Sequence, residues 1–210
     1  MSFDRIAPHY RWLETLVFGQ QLQAARMAFV KEMREPDRVL VVGEGDGRFL
    51  AEFGKVHPRS GVDCIDASGR MIELARQRVG TASVNFVQRD VREVELPVAT
   101  YDLVVTHFFL DCLNEQSLFL VIAKLARSAK RDARWLIADF CEPERNGRHM
   151  GPRFLIALMY FFFRVVSGIE ARRLIDYRPL LRAEGFSLVR TILSPNKMVR
   201  SEGWGRGSSG

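Results

Sequence analysis

Cysteine is scarce in this sequence. Cys64, Cys112 and Cys141 stand far apart and no C-x-x-C pair occurs. That spacing excludes a disulfide framework and a cysteine-based zinc site, and the three read as small buried hydrophobes in a reducing compartment. Long apolar runs are missing as well. The start, Met1-Ser2-Phe3-Asp4-Arg5, has no signal-type stretch, and nowhere do about 18 consecutive apolar residues mark a membrane span, so the expected location is the cytoplasm. No internal repeat is visible. Low-complexity sequence is confined to the Gly/Ser-rich end, Gly205 to Gly210, which is expected to be disordered. With 47% apolar and 27% charged content in 210 residues, the chain suits one compact domain over residues 1–204 and leaves no room for a second.

What the sequence has in excess is positive charge, and it is localised. The formal net charge is +6; residues 1–139 hold 19 Lys+Arg and 19 Asp+Glu, whereas residues 140–210 hold 12 and 6. A basic last third suits RNA, an anionic membrane or an acidic substrate, and equally a solvated Arg-rich surface.

Short, β-branched apolar runs alternate with amphipathic stretches from Arg38 to Phe140, the pattern of a parallel sheet wrapped by helices. The runs place strands over 38–42, 62–66, 84–87, 102–106 and 134–139, with helices over 47–53, 71–79 and 116–129 between them. Gln20–Met33 reads as a helix, preceded by an aromatic segment, Phe3 to Phe18, that Pro8 interrupts. Beyond a polar loop, Cys141–Pro152, the stretch Phe154–Val166 is apolar all round. A helix over 178–184 then leads through Gly185 into a strand over 186–193, a turn at Ser194-Pro195-Asn196-Lys197 and a last strand over 198–204. The expected fold is α/β: a Rossmann-like doubly wound sheet, mostly parallel, with a C-terminal antiparallel hairpin. Residues 1–34 form an N-terminal helical cover, 35–140 a cofactor-binding core, 141–177 a lid insertion and 178–204 the final helix and hairpin.

The candidate chemistry sits at strand ends. Val39 to Val42 runs straight into Gly43-Glu44-Gly45-Asp46-Gly47, so the backbone can approach a ligand closely where sheet strands open on a crevice. A dinucleotide fingerprint would need glycine where Arg48 stands, so the G-x-G-x-G spacing favours a ligand without a pyrophosphate. Asp66 ends the second strand about 20 residues on, where a carboxylate can bind both ribose hydroxyls, and Asp90 ends the third. Alone, each would be a tight turn or a helix cap; together, at three successive strand ends, they describe one nucleoside site.

The runs VLVVGEGDGRFL, VDCIDASGRMIELAR, VNFVQRDV and YDLVVTHFFLDCL resemble the successive cofactor motifs of class I S-adenosylmethionine-dependent methyltransferases, and FDRIAPHYRWLE resembles the start of the ubiquinone/menaquinone-biosynthesis branch. The resemblance covers the chain to about Phe140. It implies S-adenosylmethionine as cofactor, with Gly43, Gly45 and Gly47 against its methionine part, Asp66 and neighbouring Ala67 at the ribose, Met71 on the adenine face, and Asp90 with the Val91 amide at the adenine edge. It also implies a seven-stranded sheet, and Tyr10 as the aromatic that closes over the donor. Two positions depart from the pattern. Val41 stands where the first strand usually ends in an acid, and Glu44 where a small residue is common. Glu44 either supplies the displaced carboxylate for the ligand's ammonium or faces solvent.

Methyl transfer needs alignment, and a proton acceptor where the nucleophile carries a proton. His107 and Asp111, four apart after the fourth strand, either share a helical face as base and orienter or serve as cofactor packing and helix cap. No metal is called for. The expected activity is methylation of a small, lipophilic acceptor. The alternatives are an RNA methyltransferase, against which stand the missing RNA-binding module and base-handling motif, and a non-catalytic cofactor-binding protein. Phe154–Val166 is core, a homodimer interface, or a lid touching an anionic membrane through Arg148, Arg153, Arg164, Arg172 and Arg173.

Overall fold

The computed structural model describes residues 21–80, 83–141, 175–195 and 197–207. Tyr10, the Phe3–Phe18 segment, Phe154–Val166 and its flanking arginines lie outside these.

Seven strands form a single sheet. In chain order the elements are α1 (Gln21–Arg26), β1 (Arg38–Val42), α2 (Arg48–Val56), β2 (Gly61–Asp66), α3 (Gly69–Val79), β3 (Val84–Gln88), β4 (Tyr101–His107), α4 (Glu115–Ser128), β5 (Ala129–Phe140), α5 (Arg178–Ala183), β6 (Phe186–Leu193) and β7 (Val199–Arg206). The strand order is β3-β2-β1-β4-β5-β7-β6. The first five strands pair in parallel, and β7 lies antiparallel between β5 and β6. Reversal of the winding between β1 and β4 opens a crevice at their carboxyl ends.

Alternation along the buried strands divides the core into two layers. Leu40, Val42, Val104, Trp135, Ile137 and Trp204 pack with Leu118, Val121, Ile122 and Leu125 of α4 and Leu181 of α5. Val39, Val41, Leu103, Val105 and Leu136 pack with Phe49, Leu50 and Phe53 of α2 on the opposite face. Strands covered on both faces have no polar side to show, which explains the unbroken apolar run Val39–Val42. Local signals set the helix starts: Ser68 Oγ accepts from Met71 N at α3, and Asn114 Oδ1 from Ser117 N at α4.

Several boundaries depart from expectation, among them the end of α2, which runs to Val56 and not Phe53. The helix read over Gln20–Met33 ends at Arg26 and is followed by a turn and a short 3-10 helix, Val30–Glu32. There Val30 enters the core and the Phe29 ring lies against Gly203 of β7. β5 begins at Ala129, joined to β4 across an irregularity between Tyr101 and Leu103. β7 runs on to Arg206, pairing Gly205 with Arg134 and Ser187, so Gly205 and Arg206 are strand and not tail. Among the described residues no helix is long and apolar enough to cross a membrane.

Candidate cofactor and acceptor site

Gly43, Gly45 and Gly47 have φ of 69°, 73° and 83°, left-handed backbone that side chains tolerate poorly. Asp46 between them is buried and spent on structure, ion-paired to Arg48 at 3.2 Å and to Arg78 at 2.7 Å, so it ties the loop to α2 and α3. Gly43 carries the Phe109 ring directly against it, with Cδ2 2.5 Å from where a Cβ would sit. At Gly45 a Cβ would meet nothing within 4 Å.

Glu44 does not face solvent. It is buried, and its Oε1 accepts from Phe49 N at 2.9 Å and Leu50 N at 3.2 Å. It thereby closes the first turn of α2, whose N-cap position is the side-chain-less Gly47. Burial pushes its carboxyl up to about 8 from the usual 4.5, against the opposing pull of Arg26 and the two amides. Between those two values the folded protein holds a proton that the unfolded chain has released. This contribution to stability is therefore present below pH 4.5 and lost as pH rises through about 8. The apoprotein should melt at a lower temperature at pH 9 than at pH 6, and Glu44→Gln should flatten that fall; an unchanged slope in the variant would assign it to other groups.

Asp66 ends β2 facing the loop. Its Oδ2 accepts from Gly45 N at 3.1 Å and its Oδ1 from Ser68 N at 2.9 Å; burial raises its pKa and these amides oppose the rise. One backbone bond per oxygen leaves one further acceptor position on each. Met71, in the first turn of α3, is buried, whereas Ala67 is exposed. Asp90 is committed to its neighbour: Arg92 forks onto it through Nε at 3.0 Å and Nη2 at 2.6 Å, and the Arg92 amide adds a third donor at 2.9 Å. These bonds hold its carboxyl below the usual range. Val91 beside it is buried, and its carbonyl is held by Lys124 Nζ at 3.1 Å.

On the acceptor side, the expected helix carrying His107 and Asp111 on one face is not formed. His107 is the last residue of β4, Phe108 follows at φ 53°, and Asp111 sits in a 3-10 turn, Leu110–Cys112. The His107 ring is edge-on to Phe49 at 4.9 Å, and its Nδ1 is buried with no hydrogen-bond partner. Burial and nearby Arg26 drive its pKa down to about 3, so the imidazole is neutral and a poor proton acceptor at pH 7. Asp111 turns instead toward the other layer, where Cys112 Sγ donates to its Oδ1 at 3.4 Å and where burial first, then the Asp111 charge, raises the pKa of Asp139. The base-and-orienter pair is thus replaced by two residues with separate surroundings. Among the described residues no group of three or more His, Cys, Asp or Glu could hold a metal ion.

Sequence reasoning passed over four residues that shape this region. Ser68 is one, and its place as an N-cap three residues before Met71 is a signal present in the chain. Phe109 covers Gly43, and Arg26 lies with its guanidinium 4.9 Å over the Phe108 ring; neither contact has a local signature. Asp139, the acid near the end of β5, is buried with no well-aligned donor on either oxygen among the described residues, the Phe108 and Phe109 amides being its nearest polar neighbours on the β4 side.

A seven-stranded sheet of this order, with a glycine loop and an acid at its first two strand ends, defines the Rossmann-like methyltransferase architecture. Residues 39–132 match a family model described as a methyltransferase domain. The chain is 25% identical over 138 residues to malonyl-[acyl-carrier protein] O-methyltransferase of Anoxybacillus flavithermus, covering 66% of this chain and 52% of that protein. It is 29% identical over 148 residues to a ubiquinone/menaquinone biosynthesis C-methyltransferase of Geotalea daltonii, covering 67% and 62%. The chain thus spans about half the length of the curated relatives it matches. Its fold is shared with a SAM-dependent methyltransferase from Aquifex aeolicus, at a TM-score of 0.63 and 19% identity over 94% of this chain and 98% of that one. The matched domain, these relatives and the shared fold support a class I S-adenosylmethionine-dependent methyltransferase, with S-adenosylmethionine as its cofactor.

The residues present fit that cofactor. Gly45 leaves an open face in the loop, Asp66 retains an acceptor position on each oxygen for two adjacent hydroxyls, and the orphaned His107 Nδ1 awaits a polar partner.

Proposed function

We propose that the protein transfers a methyl group from S-adenosylmethionine to a small, lipophilic acceptor. The observation that carries this reading is the half-used Asp66 carboxylate, already braced by Gly45 N and Ser68 N and offering two acceptor positions beside the left-handed glycine loop. Within it, Asp66 takes the ribose hydroxyls, Met71 and the Val91 amide border the adenine, and Asp90 reaches the adenine edge by sharing its carboxylate with Arg92. Glu44 faces the ligand's ammonium from beneath the loop; it gives up its raised proton on pairing, so binding at pH 7 releases a proton. His107 supplies a neutral, buried nitrogen against the methionine part. Tyr10, outside the described residues, closes over the donor. The cofactor brings the activated methyl group; the protein's share is to bind, orient and exclude water.

A lipophilic acceptor is supported by the aromatic wall of Phe108 and Phe140, whose rings lie 5.1 Å apart. Similarity to a C-methyltransferase of ubiquinone/menaquinone biosynthesis and the all-apolar sequence Phe154–Val166 point the same way. That segment, with its arginines, extends the reading to a self-associated or membrane-bound form.

Calorimetry with S-adenosylhomocysteine tests the cofactor half: binding is expected, with a buffer-dependent heat marking proton release that disappears in Glu44→Gln. Incubation of methyl-labelled S-adenosylmethionine with a cell extract, in the presence of anionic vesicles, tests the rest. Label is expected in the organic phase. Label only in nucleic acid would return the RNA reading, and binding with no transfer to any fraction would leave a non-catalytic cofactor-binding protein.

A further inference from the structure

Two buried carboxyls lie on one face of the β5–β7 pair, and the fold treats them oppositely. Trp135, Ile137 and Asp139 of β5 pair in register with Trp204, Glu202 and Arg200 of β7. Glu202, 0% exposed, is surrounded by donors. Arg178 reaches its Oε1 through Nε at 2.9 Å and Nη2 at 2.6 Å, and Tyr177 Oη and Trp204 Nε1 reach its Oε2 at 3.1 Å and 3.0 Å. Arg200 Nε stands 2.9 Å from Glu202 Oε1 as well, though not aligned to donate to it. Asp139, 2% exposed, meets no well-aligned donor on either oxygen among the described residues, although the Phe108 and Phe109 amides lie close enough to pull its pKa down against the burial that raises it. A buried carboxyl left unpaired is costly, and it calls for a reason when the same sheet face pairs its neighbour four times over.

Position supplies the reason. Asp139 is the penultimate residue of β5, at the carboxyl end of the strand that lies across β4 from the cofactor loop. On the β4 side its wall is the single 3-10 turn Leu110–Cys112, entered through the left-handed Phe108. The charged and titratable groups facing it are Asp111 and Cys112 from that turn, Arg200 from β7 and Tyr177 ahead of α5. We propose that Asp139 is the acceptor-recognition group of this site, and that the acceptor is an uncharged molecule presenting a hydroxyl to it. This rests on the methyltransferase reading above and adds the acceptor's chemical class.

The surroundings select that class. An anionic acceptor is repelled by Asp111 and is disfavoured by the same burial that raises the pKa of Asp139. A cationic one would add its charge beside Arg200, and an ammonium has no lone pair with which to take a methyl group. A hydroxyl can pair with the buried carboxyl as donor or as acceptor, and it keeps a nucleophilic lone pair.

The test uses the full chain saturated with S-adenosylhomocysteine and three probes of nearly one shape, phenol, anisole and toluene, followed by ligand-observed NMR titration. Phenol is expected to bind about tenfold more tightly than either of the others. Asp139→Leu should reduce that preference to less than twofold while S-adenosylhomocysteine affinity stays within twofold of the unaltered protein. Asp139→Asn, which keeps shape and a carbonyl acceptor, guards against misfolding of the leucine variant and should retain a partial preference for phenol. Equal binding of the three probes, no probe binding at millimolar concentration, or a phenol preference that survives Asp139→Leu would overturn the proposal. Failure of S-adenosylhomocysteine itself to bind would instead overturn the methyltransferase reading.

Discussion

Gly47→Ala is expected to lower the stability of the protein by about 2–5 kcal/mol. Two costs combine. Gly47 has φ 83°, where a left-handed alanine costs about 1–2 kcal/mol. In addition, a Cβ there would lie 2.6 Å from Ala75 Cα and 2.9 Å from Ala75 Cβ, backbone and stub atoms of α3 that have no rotamer with which to retreat. Overpacking of that kind costs about 1–3 kcal/mol. For a chain of this length each kcal/mol moves the melting temperature by roughly 2–4 °C, so the drop should be roughly 4–20 °C. Gly45→Ala is the matched comparison, since Gly45 has φ 73° but open space at its Cβ, and should show only the backbone cost. Equal melting temperatures for the two variants would mean that α2 and α3 do not approach as closely as the structure places them.

Asp66→Ala is expected to weaken S-adenosylhomocysteine binding ten- to a hundredfold, about 1.5–3 kcal/mol. The loss has two parts. Two charge-assisted bonds to the ribose hydroxyls disappear, and so do the bonds from Gly45 N and Ser68 N that hold the glycine loop against the start of α3. Calorimetry with 2′-deoxy and 3′-deoxy ligands separates them. Removal of a ribose hydroxyl should cost affinity in the unaltered protein and almost nothing in Asp66→Ala, the non-additivity of groups in direct contact. A full deoxy penalty in the variant would place the ribose elsewhere.

How much of this was legible in the chain depended on the range of the interactions involved. β1 and β6 are found at the boundaries read from apolar pattern and turn residues. α3 and α4 begin within two residues of their expected starts, because Ser68 and Asn114 carry capping side chains in the sequence itself. β5 is the counter-example. Its first residues, Ala129-Lys130-Arg131-Asp132, have no strand pattern and are drawn into the sheet by Tyr101 and by the 2.7 Å Lys130–Asp102 ion pair. Likewise the residues after Arg26 have helix-compatible composition, and it is Val30 in the core and Phe29 against β7 that turn the chain there.

The site divides along the same line. Glycines at three alternate positions after a buried strand, and an acid ending the next strand, are properties of neighbouring residues and of chain direction, so the cofactor class could be read without coordinates. Whether Glu44 looks outward or caps α2, whether His107 and Asp111 meet, and whether a buried carboxyl finds a donor are decided by residues far off in the chain. Arg26 bears on Glu44, Phe49 on His107, and Arg200 stands beside Asp139. Desolvation is a property of the packed interior, since the same carboxyl is cheap in water and costly among Leu110 and its neighbours, and no local pattern encodes which one is left unpaired. Apolar strand runs, glycine backbone and strand-end acids were thus enough to read the doubly wound sheet and the crevice at its strand ends from the chain alone. Only the tertiary structure decided the charge states and partners on the acceptor side, because those depend on the low-dielectric contact of side chains that the chain keeps apart.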